Sequence, residues 1–339
     1  MNISPDAIKD AVQAVGSIRK AEVYFKEQGI DVSERTLRRI LKKAVSSEIE
    51  EFEGPAEIDI EELLARRARV YEAKKANKEA QRVVTRRLKL DGPFAVAFPA
   101  DCHLDADGSD VSLAFSHADL LSGVNTGIYG INLGDIWNNW SGRLARLWAD
   151  QTTNGKEAQA LVRAYLERVQ WLAFQLGNHD AWSPDRSDIV QEILKNAKVP
   201  VAKHQMRLEI QTPSGRPVRI MTRHEHPRNS MWNVTHGVAQ KAMLDGWANI
   251  YIGGHKHVSG YQHGWHDGFS QMWHAVQVAS YKKVDDFAEE IGLPPCDLYC
   301  CPVAIINPYA QSEINFIRWE FDPFEAVERL KWERKRWMN

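Results

Sequence analysis

Apolar residues in the larger, C-terminal part of the chain are grouped into short continuous runs. The clearest are Phe94 to Pro99, Ile128 to Leu133, Val169 to Leu176 and Ile250 to Ile252. A short apolar run bounded by turn signals is typical of a strand that is buried on both faces. The pattern therefore predicts several buried strands, and polar side chains follow each of them closely.

Other windows between these strands have the helical period. Helices are predicted at residues 155–170, 187–197 and 236–245. Residues 206–211 alternate between apolar and polar positions, and a Pro-Ser-Gly turn separates them from Val218 to Thr222, which predicts a hairpin. Strands that alternate with helices and then form hairpins favour a layered α/β fold with mixed sheets.

The first 45 residues have apolar positions spaced for three short helices. Ser4, Ser17 and Ser33 can cap these helices, and Gly29 lies in the turn before the third. The third helix has five basic residues on its outer face: Arg35, Arg38, Arg39, Lys42 and Lys43. We interpret the segment as a helix-turn-helix that contacts DNA through its third helix. The alternative is a three-helix docking module whose basic face is solvated.

Two further segments carry strong local charge. Residues 46–90 are acidic as far as Glu62 and then basic and helical, which predicts a linker followed by a helical arm. The arm either lies along a nucleic-acid backbone or is simply solvated. Residues 321–339 combine Trp332 and Trp337 with basic residues and predict an amphipathic helix. This helix either grips single-stranded nucleic acid or packs on the catalytic domain or on a second subunit of a homodimer.

Composition narrows the classes of function. With 339 residues, the chain suits one large and one small domain. The net charge of -2 excludes a uniformly basic nucleic-acid binder, so any attraction to phosphate is local. There are four Cys and no CxxC pair, and no apolar run reaches the roughly 18 residues of a membrane span. Together with a polar N-terminus, these features favour a cytoplasmic protein without membrane contact.

Seven side chains that can bind metal follow the predicted strands: Asp101, His103, Asp135, Asn178, His224, His255 and His257. The chain has twelve His against four Cys, which favours metal ligation by nitrogen and oxygen. Two ions that share one carboxylate need about this many ligands, and such a pair can activate water and clamp a transferring phosphoryl group. The sequence therefore predicts a site for two metal ions.

The order of these residues resembles the calcineurin-like metallophosphoesterase superfamily. The pattern of that superfamily is DxH, GDxx(D/N), GNH(D/E), a lone His and GHxH. The matching segments are Asp101-Cys102-His103, Gly134 to Asn138, Gly177 to Asp180, His224, and Gly254 to His257. The resemblance covers about residues 93–282, and the leading helix-turn-helix makes the layout similar to phage-type nucleases and phosphoesterases.

The resemblance implies an α/β fold, a four-layer α/β/β/α metallophosphoesterase sandwich. The helical and charged segments described above add a small all-α N-terminal helix-turn-helix domain and define the other domains. We expect the helix-turn-helix domain at residues 1–45 and the linker and arm at 46–90. We expect the catalytic domain at 91–320 and the C-terminal helix at 321–339.

The resemblance also implies a role for each side chain of the site. Asp101, His103 and His257 would bind the first ion, Asn178, His224 and His255 would bind the second, and Asp135 would bridge them. His179 would stabilise or protonate the leaving oxygen, and Asp180 would fix the tautomer and orientation of His179. Asn138 would touch the phosphate or a bound water.

The lone His of the pattern has more than one candidate. His224 directly follows a predicted strand, which favours it over His226, and His236 is a third candidate. Alternatively, His236 would line the substrate pocket and form a cationic rim for phosphate with Arg223 and Arg228.

Three functions are compatible with such a centre. The first is a phosphodiesterase that uses two divalent ions and acts as a DNA nuclease, with Mn as the favoured metal and Fe, Zn, Ni or Mg as alternatives. The second is a phosphomonoesterase that acts on a phosphoprotein or a small molecule. The third is a non-catalytic DNA-binding or assembly factor. The complete ligand set and the basic N-terminal helix favour the nuclease.

Overall fold

The computed structural model describes residues 3–48, 59–80, 83–123, 126–140, 146, 151–180, 189–228, 230, 232–284 and 298–339. The chain divides into two compact units, Met1–Ala73 and Lys74–Asn339, which are described separately. Among the described helices, none is both long enough and apolar enough to cross a membrane.

Three helices surround a small apolar core in the first unit. They are α1 (Pro5–Val15), α2 (Ile18–Glu27) and α3 (Glu34–Glu48). The hydroxyls of Ser4 and Ser17 accept hydrogen bonds from backbone amides in the first turns of α1 and α2, and so cap both helices. The buried side chains of this core are Ile8, Ala11, Ala21, Phe25 and Leu37.

A fourth helix, α4 (Ile60–Ala80), is shorter than the predicted arm, which was expected to reach residue 90. Val84–Arg87 instead forms strand β1, which pairs in parallel with Leu208–Gln211. The expectation of a helix across these residues was wrong because long-range pairing outweighs local helical composition. The β-sheet structure therefore begins at residue 84 rather than after residue 91.

Two six-stranded sheets form the centre of the second unit. Sheet I contains β2 (Phe94–Ala97), β3 (Ile128–Asn132), β4 (Trp171–Gln175), β5 (Val201–Ala202), β11 (Val303–Ile306) and β12 (Ile317–Glu320). Its strand order is β12-β11-β2-β3-β4-β5, and β2 through β5 are parallel neighbours.

Sheet II contains β1, β6 (Met206–Gln211), β7 (Val218–Thr222), β8 (Ile250–Gly253), β9 (Gly260–His266) and β10 (Gln271–Gln277). Its strand order is β1-β6-β7-β8-β10-β9. β7, β8 and β10 are parallel, whereas β6–β7 is the predicted antiparallel hairpin.

Helices cover the outer faces of both sheets. The described α-helices that follow β1 are α5 (Val111–Leu120), α6 (Gly155–Arg168), α7 (Ile189–Asn196), α8 (His236–Asp245), α9 (Glu313–Phe316) and α10 (Pro323–Met338). Buried residues of α5, α6, α7 and α10 pack on sheet I, and those of α8 pack on sheet II. A separate apolar core lies between the two sheets. The layers therefore follow the α/β/β/α order that the resemblance implied.

Candidate metal centre

The predicted ligands follow the carboxyl ends of five strands in two parallel groups. Three motifs follow β2, β3 and β4 of sheet I, and two follow β7 and β8 of sheet II. Within each sheet these strands are parallel neighbours. Because parallel strands end at a common edge, the fold brings motifs that are distant in sequence to the same place.

Strained backbone marks the ligand positions. Asp101, His103, Asp135, His255 and His257 have φ angles of 47°, 41°, 51°, 72° and 52°. A residue other than glycine in this left-handed region costs roughly 1–3 kcal/mol, and such residues persist where surrounding contacts hold them, commonly at functional sites. The protein therefore holds five of the seven predicted ligands in backbone conformations that are unfavourable by themselves.

Two motif glycines allow the loops to approach each other. A Cβ atom at Gly177 would lie 2.0 Å from Oδ1 of Asp135, and one at Gly254 would lie 2.3 Å from Oδ2 of Asp101. A side chain at Gly254 would require the Asp101 carboxylate to move, and one at Gly177 would also meet the Asp135 backbone nitrogen at 2.5 Å. The two glycines are therefore needed for the packing of the ligands.

Asp101, His103 and His257 form the first group of potential ligands. The Nε2 atoms of His103 and His257 are 3.2 Å apart, and Nε2 of His257 lies 3.8 Å from Oδ1 of Asp101. Oδ2 of Asp101 accepts a hydrogen bond from the His255 amide at 2.8 Å. The buried Oδ1 has no hydrogen-bond partner among the described residues.

Asp135, His224 and His255 form the second group, which Asn178 joins. Nε2 of His224 lies 3.0 Å from Oδ2 of Asp135, 3.0 Å from Oδ1 of Asn178 and 3.1 Å from Nδ1 of His255. The opposite ring nitrogen, Nδ1 of His224, donates to the Leu133 carbonyl at 2.9 Å. This bond fixes the ring so that Nε2 faces the other ligands.

These two groups fit divalent metal ions. Two nitrogens bound to one ion at about 2.0–2.1 Å lie roughly 3 Å apart, close to the 3.2 Å between the imidazoles of His103 and His257. An ion would also satisfy the buried Oδ1 of Asp101. Imidazole, carboxylate and amide oxygen are suitable ligands for Mn, Fe, Zn and Ni.

The pKa shifts of the buried side chains are consistent with binding of divalent metal ions at the site. Burial raises the pKa of Asp101 to about 8 and that of Asp180 to about 7. Burial opposes the charged form of His224, but the nearby Asp135 and Asp101 raise its pKa to about 10. His224 in turn lowers the pKa of Asp135 against the effect of burial. Burial therefore favours the protonated form of Asp101, and a divalent cation at this carboxylate would replace the proton.

His179 lies beside both groups. Its Nδ1 donates to the Asn138 carbonyl at 2.7 Å, and its backbone amide donates to Oδ1 of Asp135 at 2.9 Å. Nε2 of His179 lies 3.9 Å from Oδ2 of Asp135. The ring is therefore oriented with Nε2 on the side of the metal groups.

The expectation that Asp180 orients the His179 ring was wrong. The buried Asp180 carboxylate accepts hydrogen bonds from the backbone amides of Gly177, Asp135 and Ile136, at 2.9, 2.8 and 3.2 Å. Its side chain turns back into the loops, where these amides need an acceptor. Asp180 therefore joins two ligand-bearing loops, and the orienting contact comes from the Asn138 carbonyl.

Asp105 is a site residue that the motif pattern does not identify. Its carboxylate accepts hydrogen bonds from the amides of Asn138 at 2.5 Å and Asn139 at 3.3 Å. Nδ2 of Asn139 donates to the His179 carbonyl at 3.2 Å. Asp105 thus holds the loop that orients His179. Its one signal in the sequence is its position two residues after the ligand His103.

The structure places His224, rather than His226 or His236, at the metal groups. Nε2 of the buried His226 lies 3.2 Å from the Ile252 carbonyl, and His236 begins α8. Arg223 and Arg228 do lie together, on a cavity of about 220 Å³. This cavity is lined by Lys241 in place of the expected His236.

The amide side chain of Asn138 is buried without hydrogen-bond partners among the described residues. This holds for both its Oδ1 and its Nδ2. A buried amide without partners is unfavourable unless water or a ligand satisfies it. Contact of this side chain with a phosphate or a bound water remains a prediction.

Comparisons with known proteins give distant likenesses. No family model and no curated protein matches the chain. A 5'-nucleotidase precursor from Thermus thermophilus is 13% identical with a TM-score of 0.35, and the match covers 73% of this chain and 59% of that one. The chain therefore spans less than two thirds of that protein.

Two further solved structures are similar at the same level. The calcineurin-like phosphoesterase YfkN from Bacillus subtilis is 10% identical with a TM-score of 0.36, over 72% of this chain and 99% of that chain. GAP50, the anchor in the inner membrane complex of Plasmodium, is 9% identical with a TM-score of 0.34, over 72% of this chain and 95% of that chain.

Proposed function

We propose that the chain is a calcineurin-like phosphoesterase that depends on two divalent metal ions, with Mn²⁺ preferred, and that it cleaves phosphodiester bonds in DNA. One observation carries the proposal. Side chains from five motifs spread along the sequence meet in two adjoining groups of metal-binding atoms, with one imidazole beside them. This arrangement agrees with the motif pattern of the superfamily, in which a pair of ions serves phosphoryl transfer.

The side chains divide into those that would hold ions and those that act on the substrate. Bound divalent ions supply Lewis-acid polarisation of a phosphoryl oxygen and lower the pKa of an attacking water. The first group would hold one ion, and the second group with Asn178 would hold the other. Asp135 would bridge them, and its other oxygen holds the His179 amide.

His179 supplies the proton of the reaction. Because Nδ1 is bonded to the Asn138 carbonyl, Nε2, which lies 3.9 Å from Oδ2 of Asp135, is the ring nitrogen that would act on the substrate. When Nε2 is protonated, it donates to the leaving oxygen as the P–O bond breaks. The side chain of His179 is 14% exposed, so the ring is accessible to substrate and still held by its surroundings.

The N-terminal unit supports DNA as the substrate. Its third helix, α3, exposes the five basic residues Arg35, Arg38, Arg39, Lys42 and Lys43. Residues 28–33 connect α2 to α3 and include Gly29 in the left-handed region. A Gly-containing connection followed by a basic helix supports the interpretation of a helix-turn-helix whose second helix would enter the major groove of DNA.

The test uses the full chain with Mn²⁺ on bis-p-nitrophenyl phosphate, p-nitrophenyl phosphate, and single- and double-stranded DNA. We expect hydrolysis of the diester and of DNA. Cleavage of the monoester alone would instead support a phosphomonoesterase that acts on a phosphoprotein or a small molecule. Salt-sensitive DNA binding without cleavage, with both metal groups filled, would support a non-catalytic factor.

A further inference from the structure

The C-terminal helix α10 has two different sides. Ala326 and Leu330 are buried against sheet I and its helical layer. The other side of α10 leaves Trp332 45% exposed, together with Lys331, Lys335 and Arg336. Packing therefore accounts for one side of the helix, and the basic aromatic side remains at the surface of the described residues.

Two guanidinium groups contact the Trp332 ring. The Cζ atom of Arg329 lies 4.8 Å from the ring centroid, and that of Arg336 lies 4.6 Å from it. These arginines precede and follow Trp332 by about one helical turn, so the indole lies in a row with both of them. Cation–π contacts of this kind hold an exposed aromatic ring in place.

Positive charge exceeds negative charge on this helix. α10 has five basic residues and three acidic ones. Glu328 pairs with Lys331 at 2.7 Å, and the buried Glu333 pairs with Arg318 at 3.2 Å and with Arg329 at 3.4 Å. Lys335 and Arg336 form no ion pair with a described residue, so they leave positive charge next to the Trp332 ring.

We propose that this face of α10 binds single-stranded nucleic acid. A base would displace the Arg336 guanidinium from the Trp332 ring and stack in its place, and backbone phosphates would lie beside Lys335 and the released Arg336. The inference deepens the proposed function, because it rests on a nucleic-acid substrate and adds a second contact surface within the catalytic unit.

The chemistry of the face favours a single strand over a duplex or a membrane. Stacking on an exposed indole needs a base with an accessible π-face, which a single strand offers and a paired duplex does not. A helix that binds a membrane surface inserts an apolar side, but the Ala326 and Leu330 side of α10 is already buried in the protein.

The first turn of α10 is connected to the metal centre. The ring of Phe324 packs against the ring of His117 with centroids 5.5 Å apart, and Nδ1 of His117 lies 2.9 Å from the Tyr281 hydroxyl. The Tyr281 amide donates to the Asp101 carbonyl at 3.2 Å. Trp332 follows Phe324 by eight residues, which is about 12 Å of helix. The helix that carries the basic aromatic face therefore begins beside residues that contact the loop of Asp101.

The test measures fluorescence anisotropy of labelled oligo-dT and of a labelled duplex over a range of KCl concentrations. The full chain carries His179→Ala, so that cleavage does not consume the probe. Trp332→Ala should weaken oligo-dT binding roughly 5- to 150-fold and leave duplex binding unchanged. The double variant Lys335→Gln/Arg336→Gln should reduce the log–log salt slope for oligo-dT by about 1.4.

Two matched variants serve as controls. Trp265→Ala removes a tryptophan on β9 that is 52% exposed, and Lys156→Gln removes an exposed charge on α6; both should leave oligo-dT binding unchanged. The inference is overturned if the chain does not bind oligo-dT, or if Trp332→Ala binds it as tightly as Trp265→Ala does. It is also overturned if the double variant loses binding to phosphatidylserine vesicles and keeps binding to oligo-dT.

A parallel assay separates this inference from the proposed function. In the chain with His179 intact, Trp332→Ala should hydrolyse bis-p-nitrophenyl phosphate at the unchanged rate, because the diester is too small to reach α10. If the unsubstituted chain with Mn²⁺ fails to hydrolyse the diester but binds oligo-dT through Trp332, the phosphoesterase proposal fails and the binding surface stands.

Discussion

The metal centre and the basic face of α3 present functional side chains in opposite ways. At the metal centre, five ligands have left-handed backbone, and buried and half-buried side chains lie at about hydrogen-bond distance from one another. On α3, the backbone is a regular helix and the five basic side chains are exposed. Metal binding at the first region depends on the position of each ligand atom, whereas the proposed DNA binding by α3 depends on the total positive charge of its exposed face. Substitutions should therefore have abrupt effects at the metal centre and graded effects on α3.

The largest effect is expected for Asp135→Ala. Oδ2 of Asp135 is 3.0 Å from Nε2 of His224, and Oδ1 accepts the His179 amide, so the variant loses a ligand and a loop contact together. We expect bound Mn²⁺ to fall well below two ions per chain and diester hydrolysis to fall to background. Elemental analysis and turnover of bis-p-nitrophenyl phosphate measure the two effects. A variant that retains two ions and full turnover would contradict the bridging role.

His179→Ala should separate chemistry from metal binding. The His179 ring supplies a proton and has no place in the proposed ligand set, so metal content should stay near that of the unsubstituted chain. Turnover should fall roughly 10²-fold or more. The same two measurements apply, with Asp135→Ala as the comparison. Equal loss of metal in both variants would refute the role assigned to His179.

A smaller effect is expected for Asp105→Ala, which acts on His179 through the loop at Asn138 and Asn139. A displaced imidazole should lower kcat roughly 10- to 100-fold while metal content is retained. Nitrogen NMR of the His179 ring should also show loss of the fixed Nδ1-protonated tautomer. Asp107→Ala is the matched control, since the Asp107 carboxylate binds Thr152 instead. Unchanged kcat and an unchanged tautomer in Asp105→Ala would remove Asp105 from the account.

The mildest effect should come from α3. Arg35→Gln/Arg39→Gln should weaken duplex DNA binding and reduce the log–log salt slope by about 1.8, because two phosphate contacts are lost. Hydrolysis of bis-p-nitrophenyl phosphate should be unchanged, since this small diester needs no DNA-binding surface. An unchanged salt slope would favour the alternative in which the three helices form a docking module.

Elements whose own residues determine their structure could be predicted from the sequence, whereas an element that depends on distant pairing could not. Buried parallel strands such as Phe94–Ala97 and Trp171–Gln175 are continuous apolar runs, so local sequence identifies them. The predicted helix at 236–245 also has its observed bounds. Val84–Arg87 was missed because two of its four residues are Arg and its strand conformation depends on pairing more than a hundred residues away.

At the candidate site, the metal ligands could be predicted from the sequence, whereas the contact that orients His179 and the position of His236 could not. Motif order was enough to select the side chains that meet in the two groups, because each follows a recognisable strand. The group that orients His179 could not be predicted, because a backbone carbonyl such as that of Asn138 leaves no signature in sequence. Gly237 and Lys241 of α8 line the cavity of Arg223 and Arg228, whereas the neighbouring His236 does not, and this choice depends on how α8 packs on sheet II.

The central claim is that two divalent ions occupy the two groups of side chains. Anomalous scattering at the manganese absorption edge, from crystals of the full chain grown with Mn²⁺, tests it most directly. The account predicts two peaks, one bound by Asp101, His103 and His257 and the other by Asn178, His224 and His255, with Asp135 bound to both. A single peak, no peak, or ions held by other residues would contradict it.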